Sequence, residues 1–121
     1  MANYGTLTEK EWDSCKDKMF QVLQRVASQG QTISYSALSS ELPIPIDPHG
    51  NEMRGMLGQV STEEDSCGRG MLSVIVVHKE GDKMPGKGFF DCAAGLSRDV
   101  SDRERLWISE INRVYKEWGN R

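Results

Sequence analysis

The sequence predicts an α+β fold for residues 1–121, taken as a single domain. Apolar residues recur at helical spacing in the first half of the chain and again near its end. Between these segments, the run MLSVIVVH at 71–78 has four branched apolar residues in succession, which is typical of a strand buried on both faces. A chain of 121 residues is long enough for one compact domain.

The first predicted helix spans about residues 9 to 29. Thr8 and Glu11 form a T-x-x-E capping box at its start, and Gly30 ends it. The residues at helical spacing on its apolar face are Trp12, Cys15, Met19, Val22, Leu23 and Val26.

Two more helices follow. YSALSSEL is a short helix that Ser34 can cap, and the proline-rich PIPIDPHG then breaks the chain. NEMRGMLGQVSTEED, at 51–65, forms the third helix. Gly55 and Gly58 each weaken this helix by about 1 kcal/mol relative to alanine, which suggests close approach of another backbone or of a ligand.

The second half begins with the predicted strand at 71–78 and the hairpin turn KEGDKMPGKG. FFDCAAGL then starts either the return strand or a short helix. The final helix has its own predicted capping box, Ser101 with Glu104. Its apolar stripe consists of Trp107, Ile111, Val114 and Trp118.

This order of elements predicts a winged helix-turn-helix with a β-hairpin wing and with an added helix at each terminus. In helix-turn-helix domains the later helix enters the major groove of DNA. Here that helix would expose Asn51, Arg54 and Gln59, side chains able to read adenine or guanine. The same residues could equally be ordinary exposed polar groups on a helix surface.

The distribution of charge adds to this interpretation. The chain carries a net charge of −3, which argues against non-specific coating of nucleic acid. Residues 49–68 have a net charge of −3 and residues 69–88 a net charge of +2. The basic residues predicted to contact DNA around the wing are Arg69, Lys79, Lys83 and Lys87. A hairpin whose lysines only keep a strand edge soluble is the alternative.

Four short motifs lie in order between residues 30 and 89. GQTISYSAL contains Gly30, Tyr35 and Leu38; MRGMLG contains Arg54 and Gly58; LSVIVVHKEG contains Val76, Val77 and Gly81; Gly88 and Phe89 close the series. This half of the chain resembles the DNA-binding domain of the alkylguanine alkyltransferases and their alkyltransferase-like relatives. The resemblance implies a winged-helix scaffold. It also implies that Tyr35 and Arg54 help to rotate a nucleotide out of the duplex.

The resemblance fails at the reactive centre. Ser73 stands where that family has its reactive cysteine, and Val74 and Ile75 stand where it has histidine and arginine. An alkyl-accepting cysteine needs a base to become a thiolate. We therefore expect no alkyl transfer and favour a non-enzymatic protein that binds double-stranded DNA, in a regulatory or DNA-damage-related role.

Other chemistry finds little support in the sequence. The three cysteines form no C-x-x-C pair, and the five Cys and His residues have no zinc-like spacing, so we predict no metal. Gly81, Gly86 and Lys87 resemble a phosphate-binding loop, but Gly88 occupies the position that requires a hydroxyl. We predict no cofactor. A small enzyme using Cys67 with a histidine stays open as a minor alternative.

The remaining alternative is a protein-interaction module on the same scaffold. The acidic run Glu63–Glu64–Asp65 favours it, because carboxylates close to the recognition helix would repel phosphate. No apolar run approaches the roughly 20 residues of a membrane span, and the N-terminal residues do not resemble a secretory signal. We therefore expect a cytoplasmic protein whose partner is double-stranded DNA or another protein.

Overall fold

The computed structural model describes residues 7–44, 46–78 and 84–119. These residues are mostly helical and contain one small parallel sheet. In chain order the elements are α1 (Glu9–Ser28), β1 (Ile33–Ser34), α2 (Tyr35–Ser40), α3 (Asn51–Ser66), a 3-10 helix (Leu72–Ile75), β2 (Val76–Val77), α4 (Lys87–Gly95) and α5 (Arg103–Gly119).

The first helix forms as its sequence predicts. Thr8 Oγ1 accepts a hydrogen bond from the Glu11 N–H at 3.1 Å, and Glu11 Oε1 accepts one from the Thr8 N–H at 2.9 Å. This reciprocal pair is the predicted capping box. The six apolar residues predicted on the inner face are all buried.

The β-hairpin wing was a wrong prediction for the described residues. β1 and β2 pair in parallel, with Ile33 opposite Val76 and Ser34 opposite Val77. The segment considered for the return strand is the helix α4, which buries Phe89, Phe90 and Ala93 on one face. The coarser prediction, helices combined with a small sheet, is what the structure has.

Half of the predicted strand at 71–78 is a 3-10 helix that packs against α1, α3 and α5. A buried backbone must find hydrogen-bond partners, and among the described residues no strand pairs with this segment before residue 76. Side chains of the surrounding helices supply them instead. Glu110 Oε1 accepts from the Met71 N–H at 2.9 Å, Ser61 Oγ from the Ser73 N–H at 3.0 Å, and Trp107 Nε1 donates to the Val74 carbonyl at 3.2 Å.

The two glycines of α3 have different surroundings. A Cβ added to Gly55 would lie 2.8 Å from Cη2 of the buried Trp12, so the close approach expected there is made by an aromatic side chain. A Cβ on Gly58 would meet nothing within 4 Å. Trp12 Nε1 also donates to Gln59 Oε1 at 3.0 Å, which turns Gln59 toward α1 and away from the predicted recognition surface.

The last helix keeps its predicted stripe but begins differently. Ile111, Val114 and Trp118 are buried and α5 packs on α1. The capping box of Ser101 was wrong: Asp102 Oδ1 accepts from the Arg105 N–H at 3.1 Å, while the Ser101 hydroxyl donates to Asp99. No helix formed by the described residues is both long enough and apolar enough to cross a bilayer.

Candidate functional site

A cleft of about 380 Å³ opens where α2, α3 and α4 meet. Its volume is within the range of about 300–1,000 Å³ that is typical of pockets for small ligands. Apolar side chains form its interior, and polar or charged groups stand at its mouth. The lining includes Tyr35, His49, Gly50, Met53, Arg54, Leu57, Ser73, His78, Gly86, Lys87, Gly88, Phe89, Asp91 and Cys92.

Three rings form one wall of the cleft. The ring centroid of Tyr35 lies 5.4 Å from that of His49 and 5.4 Å from that of His78. The two imidazoles stack on each other with centroids 6.0 Å apart and planes inclined by 27°. His78 is half-buried in this wall. Such a wall offers π faces against which a planar group can stack.

The Tyr35 hydroxyl is held by the loop before α4. It accepts a hydrogen bond from the Gly86 N–H at 2.8 Å. A Cβ at Gly86 would lie 3.3 Å from this hydroxyl oxygen and 3.4 Å from His78 Nε2, so glycine permits the close contact. Burial raises the pKa of the Tyr35 phenol, which therefore stays neutral at physiological pH.

Arg54 lies in the first turns of α3, at the mouth of the cleft, and its side chain is exposed. Its aliphatic stem passes over Gly88: a Cβ there would lie 3.0 Å from Arg54 Cγ. The Arg54 guanidinium donates to Asn51 Oδ1 at 3.4 Å, a long contact. Gly88 thus gives Arg54 room to extend along the edge of the cleft.

The floor of the cleft includes Ser73, which is 5% exposed. Ser61 Oγ donates to Ser73 Oγ at 2.5 Å and accepts from the Ser73 N–H, so the two serines form a closed pair. No thiol stands at this point, and the partner of Ser73 is a hydroxyl rather than a base.

The mouth of the cleft favours anions. Arg54 and Lys87 are exposed cations there, and Asp91 is the carboxylate that lines it within the described residues. α3 and α4 both begin at the cleft, after Gly50 and Gly86, and neither start is capped by a side chain. Helix starts carry a partial positive charge.

The predicted DNA-contacting residues divide into three groups. Tyr35, Asn51, Arg54 and Lys87 come together at or beside the cleft. Arg69 does not, because it follows the C-terminal end of α3, donates to the buried Glu64 at 2.5 Å and lies 5.8 Å from the Trp118 ring centroid. The last group, Lys79 and Lys83, lies outside the described residues.

The structure supports some of the cysteine hypotheses and not others. Cys15 is buried as expected, and Cys67 is exposed just after α3. The cleft with both histidines lies at the other end of that 16-residue helix, roughly 24 Å away by helix rise, so Cys67 has no histidine beside it. Cys92 is half-buried and lines the cleft.

The stacked pair of His49 and His78 was not predicted from the sequence. In the sequence, histidine was considered only as a possible base for Cys67. The stacking brings the loop at 46–50 against the end of β2, with Tyr35 of α2 in contact with both rings, and no local pattern encodes this. Comparison with known protein families, with curated proteins and with solved structures finds no match to this chain.

Proposed function

We propose that this protein binds double-stranded DNA without catalysing a reaction, with α2 and α3 used as a helix-turn-helix pair and α3 directed into the major groove. The observation that carries the proposal is the exposed Arg54 beside Asn51 at the start of α3, on the edge of a cleft with cationic rim and aromatic wall. Recognition helices contact base edges through their N-terminal residues. Arginine pairs with guanine, and asparagine with adenine.

The acidic run at the far end of α3 argues less strongly against DNA binding than its sequence alone indicates. Each of its carboxylates has a cationic partner. Glu63 pairs with Lys16 at 2.8 Å, Glu64 with Arg69 at 2.5 Å and Asp65 with Arg98 at 2.5 Å. Paired carboxylates present a weaker field to an approaching phosphate than free ones do.

The cleft supports a further part of the proposal, that one nucleotide rotates out of the duplex into it. The resemblance to the alkyltransferase family implies this role for Tyr35 and Arg54, and both residues line the same cleft. A base entering here would find ring faces on one side and the Ser61–Ser73 hydroxyl pair below. Because no cysteine stands at Ser73, we propose recognition of the base without covalent transfer.

The winged part of the scaffold belongs to the proposal as well. In place of an antiparallel hairpin, the His78 N–H donates to the Met84 carbonyl at 2.9 Å, so the end of β2 lies beside the residues that lead into α4. In the proposal the segment between β2 and α4 takes the place of the wing beside the duplex, with Lys87 at the start of α4 directed at the phosphate backbone. Lys79 and Lys83 stay predicted contacts in the same segment.

We expect Arg54→Ala to weaken duplex binding by about tenfold or more, because a bidentate arginine–base contact contributes about 1–3 kcal/mol. Lys87→Ala should weaken binding more evenly across sequences and reduce the salt slope by about 1. Fluorescence anisotropy of a labelled mixed-sequence duplex, titrated at two salt concentrations, measures both effects. Lys10→Ala, an exposed lysine on α1, is the matched control and should leave affinity unchanged.

Equal affinity of the wild-type protein and the Arg54 variant would contradict the placement of α3 in the groove. Absence of duplex binding at tens of micromolar protein in low salt, near the weak end of about 10⁻⁴–10⁻⁶ M for non-specific binding, would contradict the whole proposal. In that case the same surface should be tested for a protein partner.

A further inference from the structure

The histidine pair at the cleft serves the function proposed so far only as ring surface. The chain contains two histidines in all, and both line this cleft with stacked imidazoles. His49 is exposed and His78 half-buried, and both rings contact Tyr35. Each imidazole can accept a proton at its unprotonated ring nitrogen, so such a pair is able to carry two positive charges.

The groups that face the histidine pair come from α2, α3, α4 and the loop before α3. α3 contributes Arg54, and α4 contributes Lys87 and Asp91. In the loop before α3, Asp47 Oδ1 accepts from the His49 N–H at 2.9 Å. α2 contributes only the neutral Tyr35 phenol. In the sequence, Lys79 and Glu80 directly follow His78, outside the described residues.

Protonation changes the net charge of the groups that line this cleft. With neutral imidazoles, the lining has two cations, Arg54 and Lys87, against the carboxylate of Asp91. With both imidazoles protonated, it has four cations. Two stacked imidazolium rings repel each other, and that repulsion falls when an anion lies beside them. Anion binding and protonation of the pair must therefore favour each other.

We propose that His49 and His78, together with Arg54 and Lys87, form a phosphate-binding subsite that fills as the imidazoles become protonated. Arginine and histidinium are donors suited to phosphate oxygens, and they form charge-assisted hydrogen bonds with them. The uncapped starts of α3 and α4 add N–H groups to the same mouth. Where the phosphate belongs to DNA, the inference rests on the proposed function and specifies its pH dependence.

Inorganic phosphate tests the subsite without DNA. Because the protein has no other histidine, both imidazole Cε1–H resonances in its proton NMR spectrum report on the cleft. We expect phosphate to shift both titration midpoints to higher pH relative to chloride at equal ionic strength. The single variants His49→Gln and His78→Gln assign the two resonances, and circular dichroism checks that each variant is folded. Unchanged midpoints in phosphate would overturn the proposal.

Binding to duplex DNA provides the second test of the subsite. Between pH 8 and pH 5.5 we expect wild-type affinity for duplex to rise about three- to tenfold, with two added charge-assisted contacts as the cause. The double variant His49→Gln/His78→Gln lacks two rings of the cleft wall, so we expect it to bind more weakly than the wild type at every pH and to lose most of the rise between pH 8 and pH 5.5. An equal rise in both proteins would overturn the subsite and leave the proposed DNA binding intact. Midpoints that respond to phosphate in a protein that ignores DNA would uphold the subsite and remove the proposed function.

Discussion

Arg98→Ala should lower the free energy of unfolding by about 3 kcal/mol, because removing one member of a buried ion network leaves its partners uncompensated. Arg98 Nη2 donates to Asp65 at 2.5 Å and to Glu110 at 3.0 Å, and the Arg98 side chain is 17% exposed. Glu110 is 5% exposed and also holds the Met71 N–H, at the start of the 3-10 helix. The loss should therefore loosen the contact between α5 and the segment that leads into β2.

Urea denaturation followed by circular dichroism measures this change. Arg105→Ala, an exposed arginine on α5, is the matched control and should alter stability by less than about 0.5 kcal/mol. A loss below about 1 kcal/mol in Arg98→Ala would mean that the network adds little to stability.

The same network predicts how stability depends on acid. The hydrogen bond from Arg98 holds the pKa of Asp65 below its ordinary value. A carboxyl with a lowered folded-state pKa stabilises the fold above its unfolded pKa of about 3.9, and this contribution is lost as pH falls through the folded pKa. Below about pH 4 the wild-type protein should therefore lose stability faster than Arg98→Ala does. Parallel curves from pH 6 to pH 2 would contradict the assignment to Asp65.

Gly55→Ala and Gly58→Ala should change stability in opposite directions, although both replace glycine inside α3. Alanine gains about 1 kcal/mol of helix propensity at either position. At Gly55 the new methyl group would lie 2.8 Å from the ring of Trp12, which is 3% exposed and tied to Gln59. The resulting strain of about 1–3 kcal/mol exceeds the propensity gain, so we expect a net loss of about 1 kcal/mol.

Gly58 provides the control in the same helix. Nothing lies within 4 Å of its added Cβ, so we expect Gly58→Ala to stabilise the protein by about 0.5–1 kcal/mol. Thermal unfolding of the two variants beside the wild type measures the difference. If both substitutions stabilise, Trp12 moves aside at little cost and the contact with Gly55 is not restrictive.

The helices were the most predictable part of this fold. In α1 the capping box, the apolar spacing and the glycine stop all agree, and the helix forms at the predicted residues. In α5 the apolar stripe was correct, whereas the cap was misplaced by one residue because Ser101 and Asp102 are both good capping residues. Cap identity depends on which side chain faces the free N–H groups, and the sequence offers both.

The segment at 71–78 was the least predictable. Its four branched apolar residues indicate burial correctly, and they are buried. Burial alone does not choose between an extended and a 3-10 backbone. That choice depended on which hydrogen-bond partners surround the segment: Ser61 from α3, and Trp107 and Glu110 from the more distant α5.

The candidate site, like the fold, could be predicted from the sequence only in part. The sequence by itself determined which residues are candidates for phosphate and base contacts, including Tyr35, Arg54 and Lys87, because residue type and charge are properties of local segments. Only the tertiary structure decided that these residues share one cleft with two stacked histidines, and that Arg69 is engaged by Glu64 elsewhere. The physical reason is that hydrogen bonding and ring contact act over a few ångströms, so they depend on which distant segments the packed core brings side by side.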